Sequence, residues 1–279
     1  MNHFSTIILI LFSLTCISCV SAQTTPLYSI TLDKQAKTKI RKREQCNGNI
    51  SNGGGDLVEG KLQLRGKCDG AGVSPDIRVD QQGEQFIYFE TNPDYNKKGR
   101  TRTELALTRE WFEFKKPVYM GFKIKVPEDS DVTNEFYYLM QWWQCAPNSP
   151  IAGIRMDRGT SHNINFMTRG DTRSASTAKF ELKPGEWHSF VVKGIVDPSG
   201  KESEFSVWHS PDTAPIVSKA AYGFQTKACK GTNDIPQRFR LKFGVYKATE
   251  PGKSHSVGYD DIRIGNTFEA VSPWQQNIK

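Results

Sequence analysis

Residues 238–246 read RFRLKFGVY. A period of two places Arg238, Arg240, Lys242, Gly244 and Tyr246 on one face and Phe239, Leu241, Phe243 and Val245 on the other. Three cations and a phenol in line form a floor for an anionic ligand, because a strand that merely covers a core shows small mixed polar groups outward. Such alternation is also the ordinary exterior of a half-buried strand. Two further segments with matching polar faces favour the ligand floor. Residues 100–107 (RTRTELAL) set Arg100, Arg102 and Glu104 against Thr101, Thr103, Leu105 and Leu107. Residues 135–144 (EFYYLMQWWQ) set Tyr137, Gln141 and Trp143 against Phe136, Tyr138, Met140 and Trp142, without showing which face is inside.

Other chemistries lack their residues. No ExDxxE string offers the paired carboxylates of a jelly-roll glycosidase, and neither GxSxG nor HExxH occurs. Beyond residues 1–22 there is no CxxC or Cys/His metal spacing, and Gly53–Gly55 is a loop without the GK[ST] of a phosphate cradle. The formal charge of +7 and the pI near 9.0 imply an acidic partner. No nucleic-acid-binding module accompanies them. Asp260 and Asp261 are of the type that holds a structural calcium with a loop carbonyl, or they are polar caps at a strand edge.

The elements that must position these residues are short. Twelve alternating segments between Lys61 and Ile264, divided by turn residues and with no long helical period, predict an all-β, two-sheet sandwich. No repeat, low-complexity tract or linker divides it, so residues 23–279 read as one domain. Most of the six tryptophans are expected in its core. Residues 1–22 carry no Lys, Arg, Asp or Glu, and an apolar run before Val20-Ser21-Ala22 reads as a secretory leader, too short to span a membrane. Leu14-Thr15-Cys16 keeps lipidation open as an alternative. Beyond the leader, four cysteines in an exported chain imply two disulfides with three possible pairings, of which Cys46–Cys68 with Cys145–Cys229 is favoured because the first closes a local loop. Residues 34–43 hold six cations and no acid, a solvated face or a polyanion patch, and Asn49-Ile50-Ser51 is a glycosylation sequon.

Arg-Thr-Glu-Leu at 102–105, Gln-Trp-Trp at 141–143, KFGVYK at 242–247 and YDDIRIG at 259–265 together resemble the jelly-roll polysaccharide lyases, nearest the heparin lyase I and glucuronan lyase group. A more distant similarity is to the alginate lyases, whose motifs run Arg-Ser-Glu-Leu, Gln-Ile-His and Lys-Ala-Gly-Val-Tyr in the same order. The resemblance covers about residues 100–271 as scattered short motifs. It implies a jelly-roll, concanavalin A-like sandwich of two antiparallel sheets in a secreted, monomeric enzyme. That enzyme would cleave a uronic-acid polymer by β-elimination without a required cofactor, acting on neither nucleic acid nor membrane.

In that chemistry a base takes the proton next to the sugar carboxylate, and the enzyme must neutralise the charge that builds there. The resemblance assigns that neutralisation to Gln141 and Arg102 and the proton transfer to Tyr246. Glu104 would orient Arg102, while Arg100, Trp143, Arg238, Arg240 and Lys242 would bind neighbouring sugars. Forming a phenolate near neutral pH costs an ordinary tyrosine about 4 kcal/mol, which a cation about 4 Å away at intermediate dielectric offsets. Arg240 and Lys242 share the face of Tyr246. The sequence departs from the resembling families where Trp142 and Trp143 follow Gln141 in place of a histidine. Proton transfer then falls to Tyr246 alone or to His162 or His188 from another strand. The rival readings are a non-catalytic lectin on the same scaffold and an adhesion protein using residues 34–43 against acidic surfaces.

Overall fold

The computed structural model describes residues 25–30, 57–59, 62–69, 75–93, 101–107, 111–145, 150–170, 173–197, 203–220, 223–224, 228–231, 233, 238–248, 250 and 252–274. The expected leader at residues 1–22, residues 34–43, Asn49, residues 53–55, Arg100 and the expected Cys46 partner of Cys68 lie outside them. In chain order the first strands are β1 (Tyr28–Ile30), β2 (Leu57–Glu59), β3 (Leu62–Asp69), β4 (Asp76–Val79), β5 (Gln85–Glu90) and β6 (Thr101–Leu107). Next come β7 (Phe112–Glu113), β8 (Val118–Lys125), β9 (Tyr137–Trp143), β10 (Ala152–Met156), β11 (Asn163–Gly170) and β12 (Arg173–Glu181). The last are β13 (His188–Ile195), β14 (Glu204–His209), β15 (Val217–Ala220), β16 (Gly223–Phe224), β17 (Arg238–Ala248) and β18 (Ser256–Gly265), followed by the one-turn helix α1 (Phe268–Val271).

Two sheets pack face to face as a jelly-roll sandwich. One has eight strands in the order β15-β14-β13-β8-β18-β5-β4, with β1 on β18. The other has ten, β12-β11-β10-β9-β17-β6-β3-β2, with β16 beside β11 and β7 beside β17. Among the described residues every pairing is antiparallel except β16 with β11. The period-two pattern dictates the core, since alternate residues of each strand must leave water together. In β17, Phe239, Leu241, Phe243 and Val245 are fully buried in the main apolar cluster. Phe243 meets Phe89 at 6.0 Å and Tyr259 at 5.6 Å from the facing sheet. Only Trp142 and Trp208 of the tryptophans are buried, against the expectation that most would be.

β9 departs from strict alternation. Its pairing with β10 steps from Met140 to Tyr138 while Ile154 and Arg155 follow directly, so Leu139 is an extra residue on that side, and on the other side it faces Gly244 and Val245 of β17, likewise outside the register. This β-bulge reverses the expected faces upstream of it. Tyr137 is buried in the core, its ring 4.9 Å from that of His255, while Tyr138 turns outward onto the face of Gln141 and Trp143. The freed Leu139 carbonyl accepts a 2.9 Å hydrogen bond from the Tyr259 hydroxyl of the opposite sheet.

The Cys145–Cys229 disulfide forms as expected, with Cα atoms 5.6 Å apart, and ties the end of β9 to the segment leading into β17. It closes a loop between residues 84 apart. Loop entropy alone makes such a closure worth about 4 kcal/mol. Replacing both cysteines by serine is expected to lower the melting temperature on the order of 10 °C in a thermal scan. An unchanged melting temperature would show that the bridge adds nothing to the folded chain.

Candidate active site

β17 lies between β9 and β6, and its register brings the outward residues of three strands into rows. Tyr246 stands opposite Arg102 of β6 on one side and Tyr138 of β9 on the other. Lys242 stands opposite Gln141 and Ala106, and Gly244 opposite Glu104. Glu104 is the hub. Its carboxylate accepts a hydrogen bond from Gln141 Nε2 through Oε1 and pairs with Arg102 Nε at 3.2 Å through Oε2. A carboxylate only 2% exposed must be paired to remain ionised, so Glu104 holds the guanidinium and the amide in one arrangement. The Arg102 guanidinium carbon lies 4.8 Å from the centre of the Tyr246 ring. Among the described residues the cation set over this ring is its cross-strand neighbour, whereas Arg240 and Lys242 of its own strand lie over indoles.

Those two cations serve an aromatic ladder instead. Arg240 and Lys242 lie 4.4 and 4.5 Å from the Trp143 ring centre, and Arg238 and Arg240 lie 5.2 and 5.1 Å from that of Trp111. The two indoles are 6.1 Å apart. Lys242 is buried, Arg240 half-buried and Arg238 exposed. Such cation–π contacts keep long side chains extended along the face. The arrangement suits an elongated anion whose apolar ring faces lie on the indoles while its charges meet the cations.

Two residues of this face escape the sequence pattern. Trp111 precedes the two-residue strand β7, too short to show a period. Tyr138 is misphased by the bulge. Its ring is 6.2 Å from that of Tyr246, and burial raises its pKa, against the pull of Arg169 and Arg155, so it is a neutral phenol. The histidines proposed as substitutes lie elsewhere. His162 is buried with Nε2 3.0 Å from the Ser130 carbonyl, and His188 belongs to the eight-stranded sheet, stacked on His209 at 5.7 Å. Asp261 is engaged by Arg263 at 2.7 Å and Lys123 at 3.6 Å. Among the described residues no cluster of three or more His, Cys, Asp or Glu side chains is grouped as for a metal ion.

His188 bears on stability instead, together with His209 and His255. Burial lowers the pKa of His188, with adjacent His209 adding to the effect, and burial likewise lowers those of His209 and His255. Below about pH 6.5 the unfolded chain takes up protons that the folded chain refuses, so stability rises with pH through that window. The contribution is complete above about pH 6.5 and is lost as pH falls toward the folded-state values. The melting temperature is expected to fall between pH 7.5 and 5.5, and to fall less in a His209→Gln variant. A flat profile would refute the linkage.

Fold and face together define a jelly-roll protein with a cationic, indole-lined outer sheet. A family model described as polysaccharide lyase matches residues 35–263, and the chain belongs to that family: it is a polysaccharide lyase. In structure it is similar to the endo-β-1,4-glucuronan lyase of the fungus Trichoderma reesei, 16% identical over 90% of this chain and 100% of that one, with a TM-score of 0.55. The catalytic domain of the glycoside hydrolase family 131 protein from Coprinopsis cinerea shares the fold at 11% identity, over 77% of this chain and 87% of that one, with a TM-score of 0.51. Alginate lyase A1-II′, a member of polysaccharide lyase family 7, aligns over 68% of this chain and 83% of its own at 12% identity and a TM-score of 0.48. Among curated proteins, none matches the chain in sequence.

Proposed function

We propose that this lyase is secreted and monomeric, and that it cleaves a uronic-acid polysaccharide by β-elimination on the outer face of β6, β17 and β9. The observation that carries the reading is the bonded set Arg102–Glu104–Gln141 placed directly beside Tyr246. Arg102 and Gln141 receive the sugar carboxylate and stabilise the charge that grows on it as the adjacent C5 proton leaves. Tyr246, as phenolate, takes that proton. The electron pair forms the C4–C5 double bond, the C4–oxygen bond breaks, and the phenol returns the proton to the departing oxygen. One group on one side of the ring makes the elimination syn. Arg238, Arg240 and Lys242, with Trp111 and Trp143, hold the neighbouring acidic sugars. Protein side chains supply all the charge neutralisation in this scheme, with no cofactor in it.

The test is a panel of glucuronan, alginates, heparin, hyaluronan and ulvan, read by the ultraviolet absorbance of the unsaturated end that elimination creates. Glucuronan is the first polymer to try, given the substrate of the Trichoderma enzyme. Absorbance is expected with at least one unsulfated uronate polymer. Cleavage that leaves only reducing ends without absorbance would exclude elimination.

A further inference from the structure

On the far side of the sandwich, β5 sends Ile87 and Phe89 into the core and turns Phe86 and Tyr88 the other way, onto the outer face of the eight-stranded sheet. Both outward rings are nevertheless buried. The Arg78 guanidinium covers Tyr88 at 3.3 Å from its centre. Lys125 lies 4.9 Å from the Phe86 ring centre and 4.6 Å from that of Trp187, and those two rings meet edge to face at 5.5 Å. Gly258 of β18 makes the room, because a Cβ there would stand 2.8 Å from the Phe86 ring. Beside this platform opens a cleft of about 480 Å³, within the size range of small-ligand sites. Val79, Gln81, Gln82, Glu128 and Asp129 line the rest of it.

The charges of the cleft sort themselves. Arg78 pairs with Glu90 at 3.2 Å and Lys125 with Asp80 at 3.8 Å, so both cations are neutralised by the protein. Asp80 is saturated further by the Trp187 indole N–H and the backbone N–H groups of Gln82 and Glu84. Glu128 and Asp129 are exposed, and among the described residues no cation lies within ion-pair distance of either. Two exposed amides, Gln81 and Gln82, and Val79, 61% exposed, complete the wall. A polyanion would meet uncompensated carboxylates here. The vicinal hydroxyls of an uncharged sugar donate to carboxylates and amides, and its C–H face packs on an aliphatic side chain.

We propose that this cleft is a second, non-catalytic site that binds a neutral glycan, with a charge preference opposite to that of the groove on β17. It does not depend on the elimination proposed above. It would hold the enzyme on the uncharged component of a mixed polysaccharide matrix while the other face works on the acidic one.

The test uses the full chain carrying Tyr246→Phe, titrated by calorimetry and nuclear magnetic resonance with cello-, manno- and xylo-oligosaccharides, a glucuronate oligomer and a lysine-rich peptide. At least one neutral oligosaccharide is expected to bind and to perturb the Gln82 and Val79 signals. The triple substitution Gln82→Ala/Glu128→Ala/Asp129→Ala, all at exposed positions, should weaken that binding at least about tenfold. In the Tyr246 background the same triple variant should turn over acidic polymer within about twofold of the native rate. No neutral binding at millimolar sugar would overturn the proposal, as would binding that the triple variant leaves intact. Selective capture of the glucuronate oligomer or the peptide at these residues would do the same.

Discussion

Replacing Tyr246 by phenylalanine is expected to lower kcat by about a thousandfold while the affinity for the polymer stays within a few-fold of native. Positioned acid–base groups contribute about 10²–10⁴ in rate, equivalent to about 4 kcal/mol of barrier for the middle of that range. The ring itself remains, so its contact with the Arg102 guanidinium and its packing near Tyr138 survive. In the proposed reading, binding rests on the separate ladder of Arg238, Arg240 and Lys242 with Trp111 and Trp143, which the substitution does not touch. The comparison variant is Tyr138→Phe, which removes a neutral phenol from the same face and should retain most of the turnover. Initial rates by ultraviolet absorbance and dissociation constants by calorimetry separate the two effects. If Tyr246→Phe kept more than a tenth of native kcat, or if Tyr138→Phe were the more damaging change, the phenol of Tyr246 would not be the proton carrier.

A second large effect is expected at Gly244, between Lys242 and Tyr246 on β17. Its φ of 128° lies where side chains are rarely tolerated, and a Cβ would stand 2.3 Å from the Thr103 carbonyl oxygen of β6 and 2.8 Å from the Phe89 ring. The first obstacle is backbone of the neighbouring strand and the second is core, so neither can swing aside. Backbone strain of about 1–3 kcal/mol adds to overpacking of similar size. Gly244→Ala should therefore lower the melting temperature on the order of 10 °C and reduce activity as well, because Tyr246 and Lys242 are two residues away on the same strand. A variant with native melting temperature and native kcat would show that the strand relaxes at no cost.

The parts of this architecture legible in the sequence are those that one strand decides for itself. Alternation alone separates Phe239, Leu241, Phe243 and Val245 from Arg240, Lys242 and Tyr246, and the structure keeps that division. The same reasoning fails in β9 because Leu139 interrupts the period, so Tyr137 and Tyr138 exchange faces. Partners across strands are not readable from one segment. That Arg102 rather than Lys242 is the cation against Tyr246, and that Glu104 joins Arg102 to Gln141, follows from a register that only pairing sets. The tryptophans misled for a related reason. Size favours the core in general, but the cations of β17 give Trp111 and Trp143 favourable company on the outer face. Short strands such as β10, AGIRM, carry too few residues to declare a period at all.

The bulge in β9 also has a mechanical consequence. A carbonyl that would otherwise be committed to a neighbouring strand is turned inward at Leu139, where the phenol of Tyr259 reaches it from the opposite sheet. That bond is a strut between the layers, set one residue from Tyr138 and so beneath the row that carries Tyr246. It fixes the height of that face above its support, so that a sugar bound in the proposed groove would meet a braced floor rather than a membrane-like sheet free to sag.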